Sequence, residues 1–323
     1  MTAAAVHPQS PLLDEVREGL SRPQKELSPT LFYDRRGSEL FEKITRLPEY
    51  YLTRTERAML ASRMPSVIAR LRPRTLVELG AGSAAKTRLL LDAMRANGEA
   101  ATYVPVDVSA EFLRETASAL GAELPGLRVV PVVADISVGL GLPRAMPRPV
   151  LFAFLGSTIG NFEEDTAIAL LRRVREAMCP GDHFLLGVDL RKDVHVIEAA
   201  YNDAAGVTAE FNRNVLRVLN RELGADFDER DFAHRAIYNR VAHRIEMHLV
   251  TRHALEAHIP RMGTVLFRAG ESIRTEISCK YDRASLTELL GAAGLEIDRW
   301  ITDSASTYAL VVASRVGDAK AGR

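Results

Sequence analysis

With 323 residues and 47% apolar content, the chain can bury a substantial core, as one large or two modest domains. Lysine plus arginine and aspartate plus glutamate stand at 42 each, so no global field draws it to nucleic acid or to an anionic membrane. Its two cysteines, Cys179 and Cys279, fall in no C-x-x-C spacing, which argues against a disulfide framework or structural zinc and for a reducing compartment.

The first residues lack an apolar h-region, and no run approaches the ~20 apolar residues of a membrane span, so a cytoplasmic protein is expected. From about Thr55 to Leu190, short β-rich runs alternate with helical patterns: "TLVELG", "TYVPVDV", "LRVVPVVADI", "VLFAFLG" and "HFLLGVDL". Each has a continuous apolar core, as strands buried on both faces do, and the alternation predicts an α/β fold with a parallel, doubly wound sheet. Residues 191 to 281 break the pattern with a helix-like "AEFNRNVLRVLNREL" and the period-2 runs "RIEMHLVTR" and "SIRTEISCKY", which predict an inserted cap. "GLEIDRWITD" and "YALVVASRV" then predict a closing strand pair on the first sheet.

The turn after the first of these strands, "TLVELGAGSAAKTRLLLDAM", carries the strongest local signal. In the register Gly80, four residues, Ala85, Lys86, Thr87, it misses the P-loop G-x-x-x-x-G-K-[ST] by the glycine before the lysine. That glycine lets successive N–H groups wrap a phosphate, and Ala85 resists a positive φ. Taken as Glu78-x-Gly80-x-Gly82, the same stretch offers an acid at a strand end and two glycines that admit a ligand to the backbone. A third glycine, which a dinucleotide would require, does not follow.

Asp107 closes the next strand, near the spacing at which an acid reaches ribose hydroxyls, and Asp135 closes the one after, where a carboxylate and neighbouring backbone can meet an adenine edge. Any one of these acids is equally at home as a turn or helix cap. Three together beside a glycine turn favour S-adenosylmethionine, whose sulfonium and amino group tolerate acids that a triphosphate would not.

The stretches "LFYDRRGSELFEKITRLPEYYLTRTE", "LVELGAGSAAKTRLLL", "FLGSTIGNF", "NDAAGVTAEFNRNVL" and "TEISCKY", in this order, resemble the L-histidine Nα-methyltransferase family of ergothioneine biosynthesis, from about Leu12 to Val316. The resemblance implies transfer of three methyl groups from S-adenosylmethionine to the α-amine of histidine, giving hercynine and S-adenosylhomocysteine. It implies a class I S-adenosylmethionine-dependent methyltransferase fold, a Rossmann-like doubly wound sheet, with a second α+β substrate domain. On that basis residues 1–55 and 191–281 form the substrate domain, and residues 56–190 and 282–323 the cofactor domain.

Carried over position by position, the resemblance assigns Tyr33, Gly80, Lys86, Asp107, Asp135 and Ile136 to the cofactor. Tyr50, Asn161 and Tyr201 would hold the histidine carboxylate and amine, Gly156, Phe211 and Met247 would line the pocket, and Glu276 with Ser278 would read the imidazole. Tyr33 and Asn161 are the candidates for orienting the neutral amine. L-Histidine is the expected partner of a monomer that uses no metal and binds neither nucleic acid nor membrane.

The residue chemistry is compatible with these roles. Glu276 and Ser278 stand two apart in a period-2 run, so one strand face presents both, and imidazole has two ring nitrogens to satisfy. Left unpaired in a desolvated site, such groups cost on the order of 1 to 3 kcal/mol each, which would select against amino acids lacking the ring. The same alternation also suits an exposed edge strand, and Tyr33, Tyr50 and Tyr51 also suit packing between domains. His243, His248, His253 and His258 recur every five residues, a spacing that puts them on different faces of a helix or strand, so no metal ladder is expected. Three other functions remain open: a methyltransferase for another amine such as a tryptophan derivative, a P-loop hydrolase, and a non-catalytic S-adenosylmethionine sensor.

Overall fold

The computed structural model describes residues 10–81, 86–98 and 101–318. Gly82 and Ala85, on which the glycine-turn and P-loop arguments rest, lie outside the described residues. The chain divides into two compact units, Met1–Tyr51 with Asp193–Ser278 and Leu52–Lys192 with Cys279–Arg323. The sequence pattern places these divisions after residues 55, 190 and 281.

In chain order, the first unit opens with α1 (Pro11–Ser21), β1 (Lys25–Glu26) and α2 (Arg35–Ile44). The second begins with α3 (Leu52–Leu71), β2 (Thr75–Leu79), α4 (Thr87–Ala96), β3 (Thr102–Asp107) and α5 (Ala110–Glu123). It continues through β4 (Arg128–Val129), β5 (Val132–Val133), β6 (Val150–Phe154), α6 (Glu164–Ala177) and β7 (His183–Asp189). The first unit resumes with α7 (Val194–Tyr201), α8 (Val207–Leu223), β8 (Phe232–Asn239), β9 (Arg244–Thr251), β10 (Leu255–Ile259), β11 (Gly263–Phe267) and β12 (Ser272–Cys279). Finally α9 (Arg283–Ala292), β13 (Leu295–Thr302) and β14 (Tyr308–Arg315) complete the second.

The second unit is built on a sheet in the order β13-β14-β7-β6-β2-β3-β4, with β5 also paired to β3. Strands β2, β3, β6 and β7 run parallel, and β14 is antiparallel to both β7 and β13, the expected closing pair. Alternation sends Val77, Leu79, Phe152 and Phe184 into a core with α6 and α9. Leu76, Leu151 and Leu185 go to the opposite face, against α3 and α4. Both faces are covered, which is why these strands read as unbroken apolar runs.

"LRVVPVVADI" departs from expectation. Its apolar content predicts one strand buried on both faces, but it forms two two-residue strands, β4 and β5, with Val133 exposed. Pro131 stands between them without an N–H to donate, and the segment lies at the sheet edge, where such a break is tolerated.

The first unit carries a four-stranded sheet ordered β1-β12-β9-β8 and a separate β10–β11 hairpin. Residues 25–26 of the N-terminal segment join this sheet, β1 pairing parallel with β12. Among the described residues, no helix is long and apolar enough to cross a membrane.

Candidate active site

In the second unit, the chain steps from β2 to β3 on one side and returns through β6 on the other. The carboxyl ends of β2 and β6 therefore flank a topological switch point, the place where open α/β sheets form a ligand crevice. Gly80 follows β2 with φ +64°, and its N–H bonds to the Val106 carbonyl at 2.8 Å. Gly156 follows β6 with φ +79°, and a Cβ there would stand 3.2 Å from Lys86 Nζ. Both positions need the left-handed backbone that glycine supplies without strain.

Further along the same rim, Asp107 ends β3 and pairs in register with Val133 of β5, while its carbonyl accepts the Ala134 N–H. This brings Asp135 and Ile136 to the next position along the rim. Asp107 Oδ1 accepts the Ser109 N–H at 3.1 Å, and Asp135 Oδ1 accepts the Ser137 N–H at 2.8 Å. Asp135 is exposed, and Ile136 packs on the core beneath. Gly80, Lys86, Asp107, Asp135, Ile136 and Gly156 thus come together along the strand ends.

Glu78 differs from the other two strand-end acids. Alternation turns it with Leu76 toward the α3 and α4 face, where it is 3% exposed. Its Oε2 accepts the Thr87 and Tyr103 hydroxyls at 2.5 Å each. Burial pushes its carboxyl up to about 7, although those two hydrogen bonds oppose the rise. It braces the start of α4 from below rather than facing the rim.

After Gly156, Ser157 (φ +59°) leads into a single 3-10 turn, Thr158–Asn161, which carries Asn161 half-buried at its end. The turn is held closely: a Cβ on Gly160 would meet the Cys279 carbonyl at 2.7 Å. Ser157 Oγ accepts the Asp189 N–H at 2.9 Å, and the Asp189 carboxylate pairs with Lys280 and Lys192. Burial lowers the Lys192 ammonium to about 8 against the pull of Asp189. Nothing in the local sequence marks this buried cluster, because its members are scattered.

In the first unit, six aromatic side chains from three stretches form a wall. Phe211 stacks on Phe32 at 4.4 Å, and Tyr33 meets Phe41 and Phe211 edge-on at 6.0 and 6.2 Å. Tyr50 contacts Phe41 and Tyr201 edge-on, each at 6.3 Å. Such pairs contribute roughly 0.5 to 1.5 kcal/mol beyond the area they bury. Tyr33 remains 50% exposed, the open end of the wall. From Tyr201, the hydroxyl donates to Ser278 Oγ at 3.1 Å, which ties the wall to β12. Alternation along β12 puts Glu276 on the same face as Ser278.

Local capping explains why these stretches fold as they do. Asp34 caps α2 by accepting the Gly37 N–H at 2.8 Å, and it also accepts Asn214 Nδ2 and Arg221 Nη1 from α8. Burial raises its carboxyl, but those donors outweigh burial and hold it below the usual carboxylate range. Gly37 has no room for a side chain, since a Cβ would lie 1.6 Å from the Phe32 carbonyl oxygen. Asp203 accepts the N–H groups of Val207 and Thr208, at 2.8 Å each, and so starts α8.

A polar network that sequence reasoning missed supports Tyr201 from behind. Asn212 Nδ2 stands 2.9 Å from His234 Nδ1, and His234 Nε2 lies 2.8 Å from the Tyr201 carbonyl. With an amide donor on one nitrogen and a carbonyl on the other, the ring is held neutral with its proton on Nε2. Burial lowers the His234 pKa, in keeping with that state. Asn212 Oδ1 accepts the Thr275 hydroxyl at 2.6 Å, which closes the network onto β12. Met247 is buried in β9, in register with Ala236 of β8.

The recurring histidines do not assemble. His248 is buried in β9 beside Glu246 and Ser272, and His253 is exposed near Asp231. No group of three or more metal-ligating side chains occurs among the described residues. A cavity of about 490 Å³ in the first unit is lined by Glu210, Arg213, Arg217 and Arg252, among others, and includes none of the expected site residues.

The rim suits S-adenosylmethionine by its donor set. The Lys86 ammonium beside the left-handed Gly156 matches a carboxylate, and the carboxylates of Asp107 and Asp135 match hydroxyl and amine donors. Comparison with known proteins agrees. The model of a family described as histidine-specific, SAM-dependent methyltransferases matches residues 12–315. The histidine N-alpha-methyltransferase of Mycolicibacterium smegmatis is 46% identical over 303 residues, 93% of this chain and 94% of that protein. Ergothioneine biosynthesis protein 1 of Neurospora crassa is 32% identical over 316 residues, covering 90% of this chain but 34% of that protein. The crystal structure of an S-adenosylmethionine-dependent methyltransferase from Clostridium acetobutylicum shares the fold at 14% identity, with a TM-score of 0.51 over 86% of this chain and 99% of that one. The chain belongs to the histidine-specific, S-adenosylmethionine-dependent methyltransferase family.

Proposed function

We propose that this enzyme adds three methyl groups in succession to the α-amine of L-histidine, forming hercynine for ergothioneine synthesis. It would act as a cytoplasmic monomer and release S-adenosylhomocysteine at each turn, with no metal. When bound, S-adenosylmethionine supplies an electrophilic methyl on a sulfonium. Lys86 would hold its carboxylate, Asp107 its ribose hydroxyls, and Asp135 with Ile136 its adenine edge.

The remaining work is positioning, because methyl transfer requires a neutral amine in line with the breaking bond. An α-amine has a pKa of about 8, so the substrate arrives largely protonated and must lose a proton before it reacts. Tyr33 and Asn161 would orient the neutral amine, and Tyr50 with Tyr201 the substrate carboxylate. The trimethylated product is a permanent cation, which the tyrosine faces of the wall can stabilise by cation–π attraction. Glu276 and Ser278 would pair with the two imidazole nitrogens.

The observation that carries this reading is the Tyr201–Ser278 hydrogen bond at the end of the Tyr33, Tyr50 and Phe211 wall. It brings the side chains assigned to the substrate amine and carboxylate up to the strand assigned to the ring. A purified sample given S-adenosylmethionine and an equimolar amino-acid panel tests the proposal by mass spectrometry. Stepwise gain of one, two and three methyl groups on histidine alone is expected. Methylation of a different amine would overturn the substrate assignment while leaving the donor assignment intact.

A further inference from the structure

A buried carboxylate is costly unless it is paired and fully hydrogen-bonded. Glu56, in α3, is 0% exposed, and none of the roles above uses it. Its carboxylate accepts the Gly156 N–H at 2.8 and 3.0 Å, the Tyr308 hydroxyl at 2.7 Å and the Lys86 ammonium at 2.5 Å. Space has been kept for it: a Cβ on Gly187, in the middle of β7, would lie 2.1 Å from Glu56 Oε1. One carboxylate thus joins the lysine after the first glycine turn to the backbone of the second turn.

We propose that Glu56 is a positioning residue for the methyl donor, fixing Lys86 at the switch point so that its ammonium meets the donor carboxylate in a single preset geometry. The inference rests on the assignment of Lys86 to the donor. A free lysine side chain carries about 2 kcal/mol of rotamer entropy, part of which binding must otherwise remove. Glu56 removes it beforehand. It takes one of three ammonium donors and leaves two for a ligand. Because Gly156 and Tyr308 also donate to Glu56, its charge is shared among three partners, and Lys86, 26% exposed, keeps an electropositive side toward the rim.

Glu56→Gln separates this role from simple packing. An amide oxygen in place of Oε1 still accepts from Gly156 and Tyr308, but the amide nitrogen in place of Oε2 faces the Lys86 ammonium, donor against donor. Calorimetric titration with S-adenosylmethionine, read beside thermal melting, would compare Glu56→Gln, Lys86→Met and the double variant. Glu56→Gln should weaken donor affinity about tenfold, and in the Lys86→Met background the same change should have an effect of less than about twofold.

An equal loss in both backgrounds would mean that Glu56 acts only through the fold, and unchanged affinity in Glu56→Gln would likewise overturn the inference. Full donor affinity in Lys86→Met would overturn it for a different reason, namely that the lysine assignment itself is wrong. Should Glu56→Gln fail to fold, Glu56→Asp serves in the same cycle: it keeps the charge but is one methylene too short to reach Lys86 and Gly156 together, so the same Lys86-dependent loss is expected.

Discussion

The two units hold their assigned ligand residues by opposite means. In the second, buried charge does the holding: Glu56 grips Lys86 and Gly156, and Asp189 sits between Lys192 and Lys280 beneath Ser157. In the first, the groups that touch the assigned residues are neutral, the aromatic wall and a histidine kept uncharged between Asn212 and the Tyr201 carbonyl, while the charged Asp34 and Asp203 act at the helix starts. The difference follows the chemistry proposed for each. A donor with a carboxylate and hydroxyls is met by fixed charges, whereas an amine that must become neutral and then a permanent cation is met by π faces and hydroxyls.

The largest expected effect falls on the neutral unit. Gly37→Ala would drive a Cβ toward the Phe32 carbonyl and displace the wall, destabilising the unit by about 4 kcal/mol. Urea unfolding would measure this, and near-wild-type stability would show that the wall does not depend on that close approach.

Next comes pH, which should act on the charged unit. Glu78 has its folded pKa raised from 4.5 to about 7. Between those values the unfolded chain ionises while the folded carboxyl stays protonated, so stability is full below the unfolded value and declines as pH rises through about 7. At roughly 1.4 kcal/mol for each pH step between the two values, the loss is about 3 kcal/mol. Glu78→Gln should flatten the dependence of the urea midpoint between pH 5 and 8, assayed in steps of about half a unit; an unchanged slope would assign the dependence to other groups.

The division of labour is tested by a crossed pair. Glu276→Ala should weaken histidine binding by about 2 kcal/mol and leave donor affinity alone, and Asp107→Ala should do the reverse. Parallel calorimetry with equal losses of both ligands would refute separate roles. The smallest effect belongs to Tyr201→Phe, which removes one hydrogen bond and should cost about 1 kcal/mol in histidine affinity. Adding Ser278→Ala to it should cost less than that substitution does alone.

Much of the charged unit was legible along the chain because its parts are local. Gly80 and Asp107 stand at strand ends and Asp135 two residues past β5, and strand ends are read from short apolar runs. Pro131 shows the limit of that method, since apolar content predicted a buried strand where a missing N–H and an edge position produced two fragments. In the neutral unit, Tyr33, Tyr50, Tyr201 and Phe211 became candidates only through family resemblance. Phe32, Phe41, Asn212 and His234 carried no signal that distinguishes a supporting residue from an ordinary core one.

The sequence by itself determined the alternation of strands and helices, the glycine turn after β2, and the parity that sets Glu276 and Ser278 on one face, because each depends on neighbours within a few residues. Tertiary structure decided the partners of the buried groups. Glu56 lies 30 residues from Lys86, 100 from Gly156 and 252 from Tyr308 along the chain, and only folding shows why a carboxylate can stay buried among them. Glu78 makes the same point in reverse: its place at a strand end suggested a ligand-facing acid, and the pleat turned it inward to brace Thr87 and Tyr103.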